Sequence, residues 1–235
     1  MILIKLILAH LLGDFVFQPD SWVKAKEKKR IKSWQLYVHT FIHFVLINLL
    51  VWQTAFIKWA ILLTFIHLVS DTIKLYFQKI NTKRQWFFID QVFHAIVIVF
   101  VWSRSQSIPL NLFAINNEKN LLLITLVFTL TQPVSVIVRH IISKWSPDTS
   151  AGHSGSLANA GNYIGILERL FVFTFVVTGN WEAIGFLLAA KSVFRFGDLK
   201  ESKDRKLTEY VLIGTLLSFG FAVLTGLIYT NFPVK

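Results

Sequence analysis

The sequence contains no cysteine among its 235 residues. Disulfide bonds and thiolate metal sites are therefore excluded, so any metal ion must be bound by imidazole, carboxylate or water. Charged side chains are also scarce, at 16% of residues, and the 13 acidic residues are outnumbered by 24 basic ones. Apolar residues are abundant, because hydrophobic types make up 54% of the chain and phenylalanine alone occurs 22 times. This composition is typical of a multi-pass helical membrane protein rather than of a soluble domain.

The excess of lysine and arginine gives the chain a net charge of +11. In a membrane protein, these residues gather on the cytoplasmic side and attract anionic lipid. Here they lie mainly between the hydrophobic segments, and no soluble segment carries an aromatic and basic motif that reads nucleic acid. We therefore expect a bilayer with anionic lipid at its cytoplasmic face as the partner, and no nucleic acid.

Hydrophobic segments of about 17–25 residues predict roughly eight membrane-spanning helices. Their approximate bounds are 1–18, 34–52, 56–77, 86–102, 121–142, 163–177, 181–196 and 207–229. We expect the first to remain as a span, since no small-residue cleavage site follows it, and Pro133 interrupts the fifth. The predicted fold class is all-α, a polytopic transmembrane helical bundle with one four-helix half at 1–104 and a second at 119–235.

The distribution of basic residues predicts the orientation of these helices. A basic loop with six lysine or arginine residues at 24–32 follows the first helix and is the strongest cytoplasmic signal. Loops are also predicted at 103–120, 146–162 and 198–206, the first outside and the last inside. Both termini are then predicted on the outer side.

Four pairs of polar residues interrupt the first four predicted helices, and the two members of each pair are four residues apart. The pairs are His10/Asp14, His39/His43, His67/Asp71 and Asp90/His94. With 7 His and 13 acidic residues in the chain, about 0.7 such pairs are expected by chance in about 100 positions. Residues four apart share one helix face, so each pair presents two ligands or proton carriers in one direction.

All four pairs are predicted at one depth in the membrane. Each lies about four to six residues from the cytoplasmic end of its helix, which at about 1.5 Å per residue is several ångströms inside the boundary. An aspartate in hydrocarbon must be paired, hydrated or bound to a cation. The sequence therefore predicts a shared polar site near the cytoplasmic face.

Imidazole and carboxylate ligands without thiolate suit Zn²⁺, Mn²⁺ or Fe, and the eight residues could hold one or two divalent ions. Asp14, Asp71 and Asp90 are the candidate catalytic groups among them. Lys74 and Gln18 are candidates for binding a lipid-linked or phosphate substrate, although Lys74 could equally extend to the membrane boundary and Gln18 could simply end the first helix. The reaction that this chemistry favours is metal-assisted hydrolysis.

The second half of the chain carries a smaller set of charged residues within its helices. Besides Glu182 and Glu209, they include a candidate polar cluster of Glu168, Arg169, Lys191 and Arg195. Because unpaired charges are costly there, we expect Glu168 and Arg169 on the sixth helix to pair with Lys191 or Arg195 on the seventh. Such a polar cluster fits an ion-paired packing interface, and a substrate or proton path is the alternative.

The run from His10 to Gln18, together with the other three pairs and Lys74, resembles a bacterial multi-pass membrane family known as domain of unknown function 3307. The resemblance covers about residues 1–110, and segments near 165–169, 189–192 and 209–214 look like the C-terminal extension of its longer members. It implies a bacterial cytoplasmic membrane and no particular activity. A looser similarity links the repeated His/Asp pairs to inner-membrane metal-dependent hydrolases.

Three functions remain open at this point. The first is a metal-dependent hydrolase of a membrane-associated phosphate or ester. The second is a proton- or cation-coupled transporter, which the apolar outer halves of the first four helices disfavour. The third is a non-catalytic sensor or assembly subunit whose polar residues specify helix packing.

Overall fold

The computed structural model of the chain describes residues 1–105, 118–145, 160–196 and 203–233. All regular secondary structure in these residues is helical, which confirms the predicted class. The helices are α1 Ile2–Phe15, α2 Asp20–Lys29, α3 Trp34–Val51, α4 Ile57–Phe77, α5 Lys83–Arg104, α6 Glu118–Thr129, α7 Gln132–Ile142, α8 Ala160–Thr178, α9 Trp181–Phe196 and α10 Lys203–Thr230. The loops predicted at 103–120, 146–162 and 198–206 fall largely outside the described residues.

Six helical segments in the described ranges are long and apolar enough to cross a membrane, which fits a multi-pass membrane protein. They are α3, α4, α5, the α6 and α7 pair, α8 and α10. Helix α9 has 16 residues and α1 has 14, whereas a span needs about 20 residues to cross a hydrocarbon core of about 30 Å. Helices α1 and α2 together would form a seventh, broken span.

The segment after α1 is a helix rather than the predicted basic loop. Helix α1 ends at Phe15, three residues before the predicted end at Gln18, and α2 follows at an angle of 78°. Pro19 precedes α2, Asp20 lies in its first turn and lysines lie in its last turn. A negative charge at the start of a helix and positive charges at its end interact favourably with the helix dipole, and a proline is well tolerated where a helix begins. These effects explain why so polar a segment is helical.

The chain divides into two compact units, an N-terminal unit of Met1–Leu121 and a C-terminal unit of Leu122–Lys235. In the N-terminal unit, α1 packs on α3 and α5, and α4 packs on α3 and α5. These four helices therefore surround one interior. Helix α2 packs on α3, where the rings of Trp22 and Trp34 lie 5.5 Å apart.

The interior of the N-terminal unit is apolar at the end where α3 joins α4. Its core there consists of Ile2, Leu6, Ala9, Ile47, Val51, Phe56, Ala60, Leu63, Ile98 and Val101. The outer surface of the same helices is also apolar, since Phe41 and Phe65 are both 62% exposed. Buried polar residues and exposed aromatic residues are the arrangement expected of a bundle surrounded by lipid.

The core of the C-terminal unit forms mainly between α7, α8 and α10. Residues Leu130 and Thr131 interrupt the helix between α6 and α7, close to the predicted break at Pro133. Their backbone oxygens accept hydrogen bonds from the Arg169 guanidinium, from Nε at 2.6 Å and from Nη2 at 3.1 Å. The Thr131 carbonyl also accepts a hydrogen bond from the backbone N–H of Ser135 at 3.2 Å. Arg169 thus supplies a donor to the Leu130 carbonyl at the interruption and a further donor to that of Thr131.

Candidate metal centre

The four predicted pairs converge inside the N-terminal unit. Neighbouring helices among α1, α3, α4 and α5 run in opposite directions, so each i, i+4 pair contributes one residue to each of two layers. The histidine layer consists of His10, His43, His67 and His94. The aspartate layer consists of Asp14, His39, Asp71 and Asp90. One further turn along each helix lies an apolar layer of Leu6, Ile47, Leu63 and Ile98, which belongs to the core.

Asp14 is the most connected residue of the site. Its Oδ1 lies 3.0 Å from Nε2 of His43 and 3.3 Å from Nε2 of His39. Its Oδ2 accepts a hydrogen bond of 2.9 Å from Nε2 of Gln91. The Nε2 atom of His67 is 3.8 Å away. The Nε2 atom of His10 is 3.7 Å from Oδ2. The carboxylate therefore faces four imidazole rings and is held in orientation by an amide.

The rings of the histidine layer are closely packed. The ring centroids of His43 and His67 are 4.0 Å apart, and those of His67 and His94 are 4.2 Å apart. A cavity of about 30 Å³ separates this layer from the apolar layer, and all eight residues of the two layers line it. This volume has room for at least one water molecule, which needs roughly 10–15 Å³ of such space. Thr64 and Val97 complete its lining, so the histidine layer borders mainly apolar side chains on this side.

Among the residues that the structure describes, three groups of side chains could hold a metal ion, because their ligand atoms lie within 4.8 Å of one another. The first group is His10, Asp14, His43 and His67, the second is His39, His67 and Asp71, and the third is Asp71, Asp90 and His94. The first and third share no residue. All members are buried or nearly so, as expected where ligands are withdrawn from water.

Several buried polar atoms at the site have no hydrogen-bond partner in the described part of the chain. They include Nδ1 of His39, Oδ1 of Asp90 and Nδ1 of His94. The last two face each other at 3.7 Å, which is too long for a hydrogen bond. Buried polar groups are normally satisfied, so these atoms fit a site that is completed by a bound cation or by water.

Two lysines bind the aspartates on the side opposite the cavity. Nζ of Lys26 lies 2.7 Å from Oδ2 of Asp71, and Nζ of Lys74 lies 2.8 Å from Oδ2 of Asp90. Lys26 is only 5% exposed although it belongs to a highly basic helix. The sequence pattern identified Lys74 but not Lys26, because the basic residues at 24–32 are all equivalent as orientation signals.

Ser70 and Gln91 also belong to the site and were not predicted. The Ser70 hydroxyl is 2.6 Å from Nε2 of His94. Gln91 connects His10, at 3.3 Å, to Asp14. Both are polar residues inside apolar segments. Ser70 precedes Asp71 and Gln91 follows Asp90, and this position next to a site residue is what could have predicted them from the sequence.

Gly13 allows α1 to approach α3 at the level of the site. A Cβ atom at this position would overlap the imidazole ring of His43. The residue precedes Asp14, so its missing side chain lets the His43 ring lie against α1 within reach of the carboxylate. Backbone approach of this kind is a common reason for glycine inside a helix.

A family model described as "Protein of unknown function (DUF3307)" matches residues 2–123. The chain belongs to the DUF3307 family. The matched segment includes both layers of the site, Lys26 and Lys74, and its end falls close to that of the N-terminal unit. No curated protein and no solved structure matches the chain.

Within the DUF3307 segment, the two residues predicted to bind substrate differ in position. Lys74 lies at the aspartate layer and pairs with Asp90. Gln18 lies in the turn between α1 and α2, three residues beyond the end of α1. The difference arises because α1 ends at Phe15.

The second polar cluster lies beyond the DUF3307 segment. Glu168 pairs with Lys191 of α9 at 2.6 Å, whereas Arg169 donates to α7, α10 and the break before α7. The side chain of Arg195 lies outside the described residues. Arg169 therefore does not join Glu168 and Lys191 in one cluster, because adjacent helical residues point about 100° apart.

Proposed function

We propose that this protein is a metal-dependent membrane hydrolase that acts on a membrane-associated phosphate or ester. A single observation carries the proposal: His10, Asp14, His43 and His67 place three imidazoles and one carboxylate together in a buried site. This donor set suits Zn²⁺, Mn²⁺ or Fe. When bound, such an ion supplies a Lewis acid and lowers the pKa of water enough to provide hydroxide at neutral pH.

The chain's own residues would orient the metal ligands, carry protons and supply positive charge for a substrate phosphate. Gln91 holds the Asp14 carboxylate, and His39 lies between Asp14 and Asp71 at 3.3 Å and 3.9 Å. Asp71 and Asp90 are the remaining carboxylates that could carry a proton, and each is bound to a lysine. The lysines place positive charge where a substrate phosphate would approach from the polar side.

A transporter is the weaker alternative for this geometry. A conduit needs polar groups on both sides of the site, and here the cavity is bounded by Leu6, Ile47, Leu63 and Ile98. The core continues from this layer to Val51 and Val101. The mainly apolar wall on this side of the histidine layer disfavours a conduit through the unit.

Hydrolysis by the purified full-length chain in detergent tests the proposal. We expect slow turnover of p-nitrophenyl phosphate or a p-nitrophenyl ester, its loss on chelation, and its recovery with Zn²⁺ or Mn²⁺. His43→Asn should abolish metal binding and turnover together, because it removes a ligand. His140→Asn is the matched control, since His140 lies on α7 in the C-terminal unit. Bound metal without turnover of either reporter would contradict the hydrolase assignment and leave the metal site standing.

We also propose that the chain resides in a bacterial cytoplasmic membrane, with α2 at the cytoplasmic face against anionic lipid and both termini outside. This orientation requires α1 and α9 to cross the membrane as well, as short spans of 14 and 16 residues. The exposed lysines Lys24 and Lys28 support this orientation. Because the chain lacks cysteine, single-cysteine variants report it directly. An impermeant maleimide should label Thr54→Cys in intact cells and Lys28→Cys only after permeabilisation. The reverse pattern would refute the orientation.

A further inference from the structure

We infer that Lys26 and Lys74 together take the place of a second metal ion, so that the site holds one ion. This inference rests on the proposed metal site. The His10, Asp14, His43 and His67 group and the Asp71, Asp90 and His94 group share no residue, so their ligand sets alone would allow two ions. The two groups differ in whether their carboxylates already have a lysine partner.

The carboxylates of the Asp71, Asp90 and His94 group already have cationic partners. Lys26 binds Asp71 at 2.7 Å and Lys74 binds Asp90 at 2.8 Å. The side chains of Asp71 and Lys26 are 8% and 7% exposed, and that of Asp90 is 3% exposed. An ion there could still reach Oδ1 of Asp90 and Nδ1 of His94, which have no hydrogen-bond partner in the described residues. It would lie beside two ammonium groups that already neutralise both carboxylates, so the repulsion between these cations opposes its binding.

The Asp14 carboxylate has a different environment. Its contacts in the described residues are the imidazoles of four histidines and the amide of Gln91. No lysine or arginine forms an ion pair with it in that part of the chain. Its negative charge is therefore available to a metal cation, with imidazole nitrogens already around it.

The position of Lys26 is specific to its helix. Helix α2 turns 78° away from α1 and carries Lys24 and Lys28 on its exposed face, while Lys26 enters the site. A long lysine side chain ordinarily extends to water at a membrane boundary. Burial of this one lysine against Asp71 indicates that α2 delivers a fixed cation to the aspartate layer.

The metal-to-protein ratio and the electron paramagnetic resonance spectrum of the Mn²⁺-loaded full-length chain test this inference. We expect about one ion per wild-type chain and the spectrum of an isolated ion. The double variant Lys26→Met/Lys74→Met leaves both aspartates without a cation, so we expect about two ions and spin coupling between them. Lys24→Met/Lys28→Met removes the same charge from the exposed face and should keep the wild-type ratio.

The outcomes separate this inference from the function on which it rests. Two ions in the wild-type chain would overturn it and leave the proposed function intact. No bound ion in the wild-type chain would overturn both. A folded Lys26→Met/Lys74→Met variant that keeps the wild-type ratio would also overturn the inference. If that variant does not fold, the number of ions bound by the wild-type chain alone tests the inference.

Discussion

Replacing Asp14 with asparagine is expected to lower the affinity for a transition metal by more than about 100-fold, since even indirect partners of a ligand contribute about 10- to 100-fold. The amide keeps the size of the side chain and removes the charge. Asp14 is the one carboxylate of the His10, His43 and His67 group, so the variant retains only neutral donors. Competition between the protein and a fluorescent chelator would measure the change.

Asp20→Asn is the matched control for this measurement. Asp20 lies exposed in the first turn of α2, so the same chemical change there should leave metal affinity unaltered. Circular dichroism of both variants would show whether the helices remain intact. Full metal affinity in a folded Asp14→Asn protein would remove the basis of the proposed centre.

Arg169→Met is expected to destabilise the C-terminal unit by about 3 kcal/mol or more, because several charge-assisted hydrogen bonds are lost together and buried acceptors remain. Besides the carbonyls of Leu130 and Thr131, the guanidinium binds the hydroxyls of Ser135 at 2.6 Å and Ser218 at 3.0 Å. Arg169 is 3% exposed, so water cannot replace these donors without opening the unit.

Unfolding of detergent-solubilised protein, followed by circular dichroism, would measure the effect of Arg169→Met. Arg139→Met is the control, because Arg139 is exposed on α7 and surface substitutions usually change stability by less than about 0.5 kcal/mol. Equal stability of the two variants would show that Arg169 does not hold the break between α6 and α7.

The sequence predicted the helical fold because long apolar segments leave few alternatives in a membrane. The spacing of the four His/Asp pairs and their common depth also indicated that residues such as His10 and His67 would lie near each other. Both arguments use only the helical repeat and the position of charged residues. Neither depends on how the helices pack.

Features that depend on packing could not be read in the same way. Nothing in the basic run distinguishes Lys26 from Lys24 or Lys28, because burial of one lysine follows from the bend between α1 and α2. Likewise, Glu168 and Arg169 are neighbours in sequence but face different helices. Their partners depend on the rotation of α8, which its sequence leaves open.

The side chains of His10, Asp14, His43 and His67, which could hold a metal ion, come from α1, α3 and α4, which are distant along the chain. An ion that binds only the assembled helices stabilises the folded state, by about 1.4 kcal/mol for each tenfold excess of free ion over its dissociation constant. The N-terminal unit would then persist longest in cells supplied with the ion. Metal starvation would expose it to proteolysis, so the abundance of the protein would follow the metal status of the cell.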